Sequence, residues 1–217
     1  IVFDGGSTDG TLDYCKKNNI KYLMRPDLDE NLLGIKAYRW ALRKVTTEYV
    51  LHVICSHFYP YELLSRFSKI ANENKLNAVW HNVLVYRYGR VVHRPLVRKI
   101  SSGCNFYKKS IINFKDSKIH GELAIKFDKK TMVRLDASDE LSLHLFQDED
   151  CESFTKKTIK YATIEASQRF EAGKRVGWVG VLIKPLVRFI YSYFRTGAFI
   201  HGVPGLVYSM LNLIYDF

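Results

Sequence analysis

The first eleven residues of the chain read Ile1-Val2-Phe3-Asp4-Gly5-Gly6-Ser7-Thr8-Asp9-Gly10-Thr11. The apolar start predicts the end of a buried strand, and the Asp, Gly and Ser residues after it predict a tight polar loop. Thr11 is then expected to cap a helix over residues 12–18. Because open α/β sheets bind ligands at the carboxyl ends of their strands, Asp4 is a candidate acceptor for a ribose hydroxyl or a base N–H. A polar turn that holds no ligand is the alternative interpretation.

Downstream of this loop, strand and helix patterns alternate. The patterns predict a short strand over 20–24, a helix over 34–45, a buried central strand over 49–55 and a helix that begins at Pro60. Further strands are predicted over 78–88, 132–135 and 141–145, with a hairpin turn at Gly89-Arg90 and a long polar helix over 149–175. This alternation predicts an α/β fold with a mostly parallel, doubly wound sheet flanked by helices.

The composition indicates a folded, basic protein. The 217 residues are 47% hydrophobic, which is enough for one domain with a sizeable core and excludes general disorder. A net charge of +11 predicts a polyanionic partner, with nucleotide phosphates, anionic lipid and nucleic acid as candidates. Nucleic acid is not expected, because no helix-turn-helix, zinc or aromatic RNA-binding signature is present. The four cysteines are widely spaced and predict thiols in a reducing, cytosolic compartment.

The opening segment resembles the nucleotide-binding loop of the family 2 glycosyltransferases, which commonly reads V-D-D/G-G-S-T-D-G-T. A second segment, Gly34-Ile35-Lys36-Ala37-Tyr38-Arg39-Trp40-Ala41, resembles the family's G-x-x-x-x-R-N-x-A helix, with Trp40 where Asn is common. The resemblance is closest to the lipopolysaccharide core glucosyltransferase-like subgroup and covers nearly the whole chain. It implies a GT-A fold, which is Rossmann-like, and a further strand upstream of Ile1.

The resemblance also implies an activity. Members of the family move a sugar from a nucleotide-sugar donor to an acceptor, here a glycan or a lipid-linked glycan of bacterial cell-surface polysaccharide or lipopolysaccharide synthesis, with inversion. By the resemblance, Asp4 contacts the nucleotide base, and Arg39 lies near the diphosphate. The further donor-binding candidates are Gly6, Ser7, Asp9, Ser56, His57 and His144.

The sequence departs from the family at its metal-binding motif. The family's buried third strand usually ends in D-x-D, whose carboxylates hold Mg²⁺ or Mn²⁺. In this chain the matching positions are Ile54 and Ser56, so we predict no metal ligand with that motif. Three interpretations follow: catalysis without metal, recruitment of other ligands such as His57 or Cys55, or a catalytically degenerate, membrane-associated protein that binds nucleotide or glycan.

The candidate residues of the acceptor half lie further along the chain. An inverting transfer needs a base for the acceptor hydroxyl, and Glu122, with His120 before it, resembles the subgroup's H-E element. An exposed Glu at a strand edge is the alternative. The acidic run 148–150 is the second candidate, although such runs often form a solvated helix N-terminus. For His144, which the resemblance places near the diphosphate, the alternative is a core histidine.

The composition changes after Arg175. Residues 176–217 are rich in Val, Leu, Ile, Phe, Tyr and Gly, and the stretch 184–195 mixes bulky apolar residues with spaced cations. This pattern predicts an amphipathic helical hairpin that lies on an anionic membrane surface, rather than a buried helix pair or a true span. We therefore expect a glycosyltransferase domain over 1–175 and a membrane-associating segment over 176–217. The expected location is cytoplasmic and peripheral, on the inner face of the cell membrane.

Overall fold

The computed structural model describes residues 1–26, 35–87, 90–93, 102–112, 128–147, 149–195 and 197–216. The described residues form a mixture of helices and strands, which confirms the predicted α/β class. The chain divides into two compact units. Unit 1 contains residues 1–50 and 107–128, and unit 2 contains residues 51–106 and 129–217.

Unit 1 begins with a parallel β-α-β arrangement, as the opening segment predicts. Strand β1 (Val2–Asp4) pairs in parallel with β2 (Tyr22–Met24), and helix α1 (Thr11–Lys17) connects them. Helix α2 (Ile35–Lys44) follows and confirms the helix predicted over 34–45. The ring of Trp40 on α2 packs edge-on against Phe3 of β1, with ring centroids 5.5 Å apart. Parallel pairing brings the carboxyl ends of β1 and β2 to the same edge.

The start of α1 differs from the prediction. Thr11 does not cap the helix but is its first residue, and Gly10 occupies the cap position with a φ of 88°. The carboxylate of Asp9 accepts hydrogen bonds from the backbone N–H of Thr11 at 3.1 Å and from its hydroxyl at 2.6 Å. Asp is a better acceptor than Thr for the N–H groups at a helix start, and Gly10 supplies the left-handed turn between them.

The second sheet has seven strands and is mixed. Its strand order is β3-β7-β5-β9-β4, with β6 and β8 also paired to β5. The bounds are β3 (Tyr49–Leu51), β4 (His57–Phe58), β5 (Ala78–Arg87), β6 (Arg90–His93), β7 (Ser102–Lys108), β8 (Met132–Arg134) and β9 (Ser142–Phe146). β5 pairs in parallel with β8 and β9 and antiparallel with β6, while β4 and β9 are antiparallel. The strands predicted over 78–88, 132–135 and 141–145 are present, and the antiparallel pairing of β5 with β6 agrees with the predicted hairpin, but the sheet is less parallel than expected.

The predicted buried central strand over 49–55 is wrong. Only Tyr49–Leu51 forms β3, which stands at one end of the strand order of the described sheet. The chain then leaves the strand, and the backbone N–H of His57 donates to the Ile54 carbonyl at 2.9 Å, which closes a turn. A continuous apolar run is typical of a buried parallel strand, but here Val53 is 52% exposed and Ile54 is 38% exposed.

The core of unit 2 forms where helix α3 (Tyr61–Glu73) packs its apolar face inward. Leu63, Phe67 and Ile70 are buried, as their helical spacing predicts, and Pro60 precedes the first residue of the helix. Leu64, next to Leu63 in the sequence, is partly exposed. Phe67 stacks on Phe106, with ring centroids 4.6 Å apart.

The last part of unit 2 is helical. It contains α4 (Cys151–Glu171), α5 (Trp178–Ile190) and α6 (Val203–Asp216), and α6 packs against both α4 and α5. A π-helical turn (Tyr191–Arg195) and a 3₁₀ turn (Ala198–His201) connect α5 to α6. Helix α6 lies close to the 3₁₀ turn at Gly205, where a Cβ would lie 1.8 Å from the Ala198 carbonyl oxygen. Within the described parts of the chain, no helix is both long and apolar enough to cross a membrane.

Candidate functional site

The loop after β1 is built around the side chain of Asp4. One carboxylate oxygen, Oδ1, accepts hydrogen bonds from the backbone N–H of Gly6 at 2.7 Å and of Ser7 at 2.8 Å. Asp4 is only 5% exposed, and its carbonyl oxygen accepts the backbone N–H of Arg25 at 2.6 Å. Gly6 has a φ of 102°, a conformation that favours glycine. The loop therefore folds back on the carboxylate at the end of the strand.

The surroundings of Asp4 favour its ionised form. Hydrogen bonds from the Ser7 hydroxyl and backbone N–H, then from the Gly6 N–H, and the charge of Arg25 lower the pKa of Asp4 against the opposing effect of burial. A Cβ at Gly5 would lie 3.0 Å from Nη2 of Arg25, so the guanidinium lies directly against the loop. The site thus holds an acidic and a basic group at the adjacent ends of two parallel strands.

Sequence reasoning did not identify Arg25. It follows β2 by one residue, and the register Asp4↔Met24 places it beside the loop of β1. The signal was available, because a cation just after a strand that runs parallel to β1 must lie near the ligand-binding edge. The position of Arg25 in the sequence indicates a place in the site only when the pairing of β1 with β2 is known.

The other loop candidates have their own positions. Asp9 is exposed and bonded to Thr11, whose hydroxyl and N–H lower the pKa of Asp9. Ser7 is exposed, and its backbone N–H donates to the Asp4 carboxylate. Arg39 lies partly buried on α2, one residue before the Trp40 ring that packs on Phe3. These candidates and Asp4 all belong to unit 1.

The candidates at 54–57 belong to unit 2 and have different surroundings. Ile54 and Cys55 are exposed, and the Ser56 carbonyl accepts the backbone N–H of Phe146 at 2.8 Å. His57 on β4 pairs with Leu145 of β9, whereas His144 on β9 pairs with Phe58. Since successive strand residues point to opposite faces, the side chains of His57 and His144 project from opposite faces of the sheet. The two histidines cannot share one ligand.

His57 lies in a partly buried group of aromatic side chains. Burial, with smaller contributions from the nearby His52 and His81, lowers the pKa of His57 to about 4. The Tyr59 hydroxyl lies 3.0 Å from the His52 carbonyl oxygen and 3.4 Å from Nδ1 of His57. Because the carbonyl can only accept, the Tyr59 hydroxyl donates to it, and the phenol oxygen accepts from Nδ1–H of His57. With its pKa lowered to about 4, His57 is neutral at pH 7.

Both ring nitrogens of His144 are engaged within the protein. Nδ1 lies 2.9 Å from the Tyr86 hydroxyl, and Nε2 lies 2.9 Å from the carbonyl oxygen of Asp139. The carbonyl accepts, so Nε2 carries a hydrogen and donates to it, while Nδ1 and the Tyr86 hydroxyl form the second bond. The ring also stacks on Tyr86 and meets Phe58 edge-on. A ligand of His144 would have to replace one of these bonds.

The structure does not support a divalent-cation site in its described part. The side chain of Ile54 has no ligand atom, and no group of three or more His, Cys, Asp or Glu side chains in the described ranges could hold a metal ion. The residues present at 54–56 therefore do not fit the Mg²⁺ or Mn²⁺ that the family usually binds.

The acceptor-side candidates are mostly outside the described residues. This applies to His120, Glu122 and Asp148. Of the acidic run, Asp150 caps α4 by accepting the backbone N–H of Ser153 at 2.7 Å, and Glu149 is exposed. Asp150 thus has the role of a helix N-cap.

A cavity of about 460 Å³ lies elsewhere in unit 2, between α3 and the end of β8. Its lining contains the cations Arg66, Lys69 and Arg134 together with Glu62 and Asp136. None of the sequence-predicted site residues lines it. Its residues come from two elements with ordinary surface patterns, so the sequence offered no signal for it.

Comparison with known proteins gives partial relatives, among them a glycosyltransferase. The chain is 34% identical over 61 residues to the lipopolysaccharide core biosynthesis glycosyltransferase LpsC of Rhizobium meliloti (strain 1021). The aligned stretch covers 28% of this chain and 23% of that protein, so the chain matches about a quarter of the relative's length. No family model and no solved structure matches the chain. The comparison supports a relationship to glycosyltransferases in general.

Proposed function

We propose that the protein transfers a sugar from a nucleotide-sugar donor to a glycan or lipid-linked acceptor in cell-surface polysaccharide or lipopolysaccharide synthesis. The observation that carries this proposal is the Asp4 loop, with an ionised carboxylate at the carboxyl end of a parallel strand. The partial relationship to a lipopolysaccharide core glycosyltransferase supports it. The parallel β1-α1-β2 unit is what a GT-A domain would have at this position, so that fold is part of the proposal.

In this proposal, Asp4 recognises the nucleotide. An ionised carboxylate has about four acceptor positions. The Ser7 hydroxyl and the two loop N–H groups occupy three of them, which leaves capacity for a donor on the base or ribose. The guanidinium of Arg25 adds positive charge beside the loop, where it favours the diphosphate.

The proposed reaction is an inverting displacement without a metal-dependent step. The acceptor oxygen forms a bond to the anomeric carbon while the bond from that carbon to the diphosphate oxygen breaks. The nucleoside diphosphate leaves with the electron pair, and the acceptor proton passes to a base, for which Glu122 is the candidate. Because the residues at 54–56 do not fit a metal ion, we assign the leaving-group charge to cations, with Arg25 and Arg39 as candidates in unit 1.

Ile54 and Ser56 favour a second candidate function. A protein that has lost its metal carboxylates can retain donor binding without turnover. It would then be a catalytically degenerate protein that binds nucleotide or glycan at the membrane. The first loop predicts donor binding in both cases, so binding and turnover must be measured separately.

The test is a calorimetric titration with UDP, GDP and their sugars, with and without Mn²⁺. We expect binding that needs no metal and that Asp4→Ala weakens by about tenfold or more, since a hydrogen bond to a charged group contributes about 1.5–3 kcal/mol. Asp13→Ala is the matched control, because Asp13 is a carboxylate of the same unit that lies on α1 and pairs only at the surface with Lys16. It should change affinity by less than about twofold.

Three outcomes decide between the candidates. Donor binding together with release of nucleoside diphosphate in the presence of an acceptor supports the transferase. Binding without turnover favours the degenerate protein. Absence of binding to every nucleotide contradicts the donor site itself and with it both functions.

A further inference from the structure

Exposed apolar side chains are concentrated at the C-terminal end of the described structure. Of the 28 large hydrophobic residues that are exposed among the described residues, 16 lie between Val176 and Ile214. Trp178 is 75% exposed, more than any other tryptophan described. Isolated exposed apolar residues are ordinary, but a contiguous group of them indicates a surface that a membrane or another molecule covers.

The outward face of α5 forms such a contiguous group. Val181, Pro185 and Phe189 turn toward the protein and are buried or half-buried. At about 100° per residue, the exposed apolar positions of α5 cover about 140° of its circumference. These positions are Val179, Leu182, Ile183, Leu186, Val187 and Ile190. No polar side chain interrupts this face.

Two cations lie beyond one edge of the apolar face, Lys184 about 60° past Val187 and Arg188 about 100° past it. Lys184 and Arg188 are one turn apart on α5, between the apolar face and the buried face. Lys184 lies near enough to Glu165 of α4 to affect it electrostatically, as Arg188 does to Tyr215 of α6, so both cations lie at the side of α5 that adjoins the protein. The sequence from 172 to 215 contains no Asp or Glu. The surface is thus apolar at its centre and positive at its border.

We propose that α5 docks on an anionic lipid bilayer, with its outward apolar face at the boundary between headgroups and acyl chains and with Lys184 and Arg188 against the headgroup phosphates. The helix has 13 residues and is about 20 Å long, shorter than the roughly 30 Å of a bilayer core, so it lies in the interface and does not span it. Trp178 and Tyr191, at the two ends, suit headgroup depth.

Charge favours a bilayer over a second copy of the chain. A symmetric dimer through this face would place Lys184 and Arg188 near the same cations of the partner, with no acidic residue in the segment to offset them. An anionic bilayer supplies both the apolar layer and the opposite charge. This inference does not depend on the glycosyltransferase proposal, since it uses only α4–α6. It would place the protein on a membrane surface, with the cytoplasmic face of the cell membrane as the location that the sequence predicts.

The experiment is co-sedimentation of the full chain with vesicles. Vesicles of phosphatidylcholine and phosphatidylglycerol at about 3:1 are compared with pure phosphatidylcholine, at about 0.05 M and 0.5 M NaCl. We expect at least about tenfold stronger partitioning to the anionic vesicles, and a decrease at high salt, because salt screens the headgroup attraction. Ile183→Glu/Leu186→Glu should reduce partitioning by about tenfold or more, since both side chains lie at the centre of the face.

Tyr61→Glu/Leu64→Glu is the matched control. It places the same two charges on exposed apolar positions of another helix, α3 in unit 2, and should partition like the wild type. Circular dichroism checks that both variants are folded. A second readout is the fluorescence of the wild type: Trp178 emission should shift to the blue on addition of anionic vesicles, and Trp178→Phe, checked for folding in the same way, should abolish the shift.

Several results would contradict the proposal that α5 docks on a bilayer. The proposal is overturned if the wild type does not sediment with vesicles, if it shows no preference for anionic lipid, or if Ile183→Glu/Leu186→Glu partitions like the wild type. It is also overturned if the wild type ignores vesicles and elutes as a dimer that this variant converts to a monomer. In that case the face joins two copies of the chain.

Discussion

Two segments of this chain follow short strands, and the sequence predicts a role in donor binding for both, yet they are built differently. In the loop after β1, the Asp4 carboxylate binds the backbone N–H groups of Gly6 and Ser7, so a side chain forms the loop. In the segment after β3, the bonds come from the backbone, with the Ile54 and Ser56 carbonyls accepting N–H groups of His57 and Phe146. The side chains there, Ile54 and Cys55, are exposed.

This difference explains which part of the resemblance the chain retains. Replacing Asp4 would leave loop N–H groups without their acceptor, so the loop itself constrains that residue. Replacing a carboxylate at 54 or 56 leaves the backbone bonds of the second segment unchanged. An acidic side chain at 54 or 56 would serve only a ligand, so the fold does not require one. The segments therefore differ in whether structure or ligand binding fixes the side chain.

The largest expected effect is on the stability of the first loop. We expect Asp4→Ala to lower the free energy of unfolding by about 2 kcal/mol, because it removes a charged acceptor from two backbone donors. Asp4→Asn should cost less than about 1 kcal/mol, since its side-chain carbonyl can still accept both N–H groups. Urea denaturation at pH 7 measures both. Equal losses in the two variants would show that charge, and not the acceptor geometry, forms the loop.

Local pattern predicted much of this fold. The strand and loop around Asp4, the helix α3, the long strand β5 and the helical C-terminal segment all follow from periodicity and turn residues. Two predictions failed because another interaction competed. Asp9 is the stronger acceptor at the start of α1, and the apolar run after Tyr49 lies where the chain leaves the sheet. Strand order and register depend on distant residues, so the mixed sheet could not be predicted.

The candidate site shows the same limit. Asp4 and Asp9 could be identified because their partners are two or three residues away. Arg25 was missed because only the pairing of β1 with β2 brings it to the loop. His57 and His144 were both candidates, but the register of β4 and β9 separates them onto opposite faces. A shift of one residue in that register would have put them on the same face.

A second prediction tests whether the second segment has kept room for a metal. Ile54→Asp/Ser56→Asp should bind Mn²⁺ at least about tenfold more tightly than the wild type, or by about 1.4 kcal/mol. Val53→Asp/Cys55→Asp is the matched control, because it adds the same charge at the alternate, exposed positions. Calorimetric titration measures all three proteins. An equal response in both variants would mean that added charge alone attracts the ion.

The smallest expected effect separates the two segments by pH. Burial lowers the pKa of His57 from 6.5 to about 4, so below pH 6.5 the unfolded chain takes up a proton that the folded ring does not. The free energy of unfolding should therefore fall as the pH falls from about 6.5 to about 4. Because the ring is partly exposed, solvent screening should limit the contribution of His57 to about 1 kcal/mol.

Asp4 changes the free energy of unfolding in the same direction, but in a lower pH range. Its pKa is lowered from 3.8, so its contribution is complete above that pH and is lost only in stronger acid. Urea denaturation between pH 7 and pH 4 measures how steeply the free energy of unfolding falls with pH, and this slope should be smaller for His57→Gln than for the wild type. Part of the slope should remain, because burial also lowers the pKa values of His52 and His81. Asp4→Asn should leave the slope in this range unchanged. If Asp4→Asn changed this slope and His57→Gln did not, the pH dependence in this range would come from Asp4. The difference described between the two segments, an ionised Asp4 in the first and a neutral His57 in the second, would then be wrong.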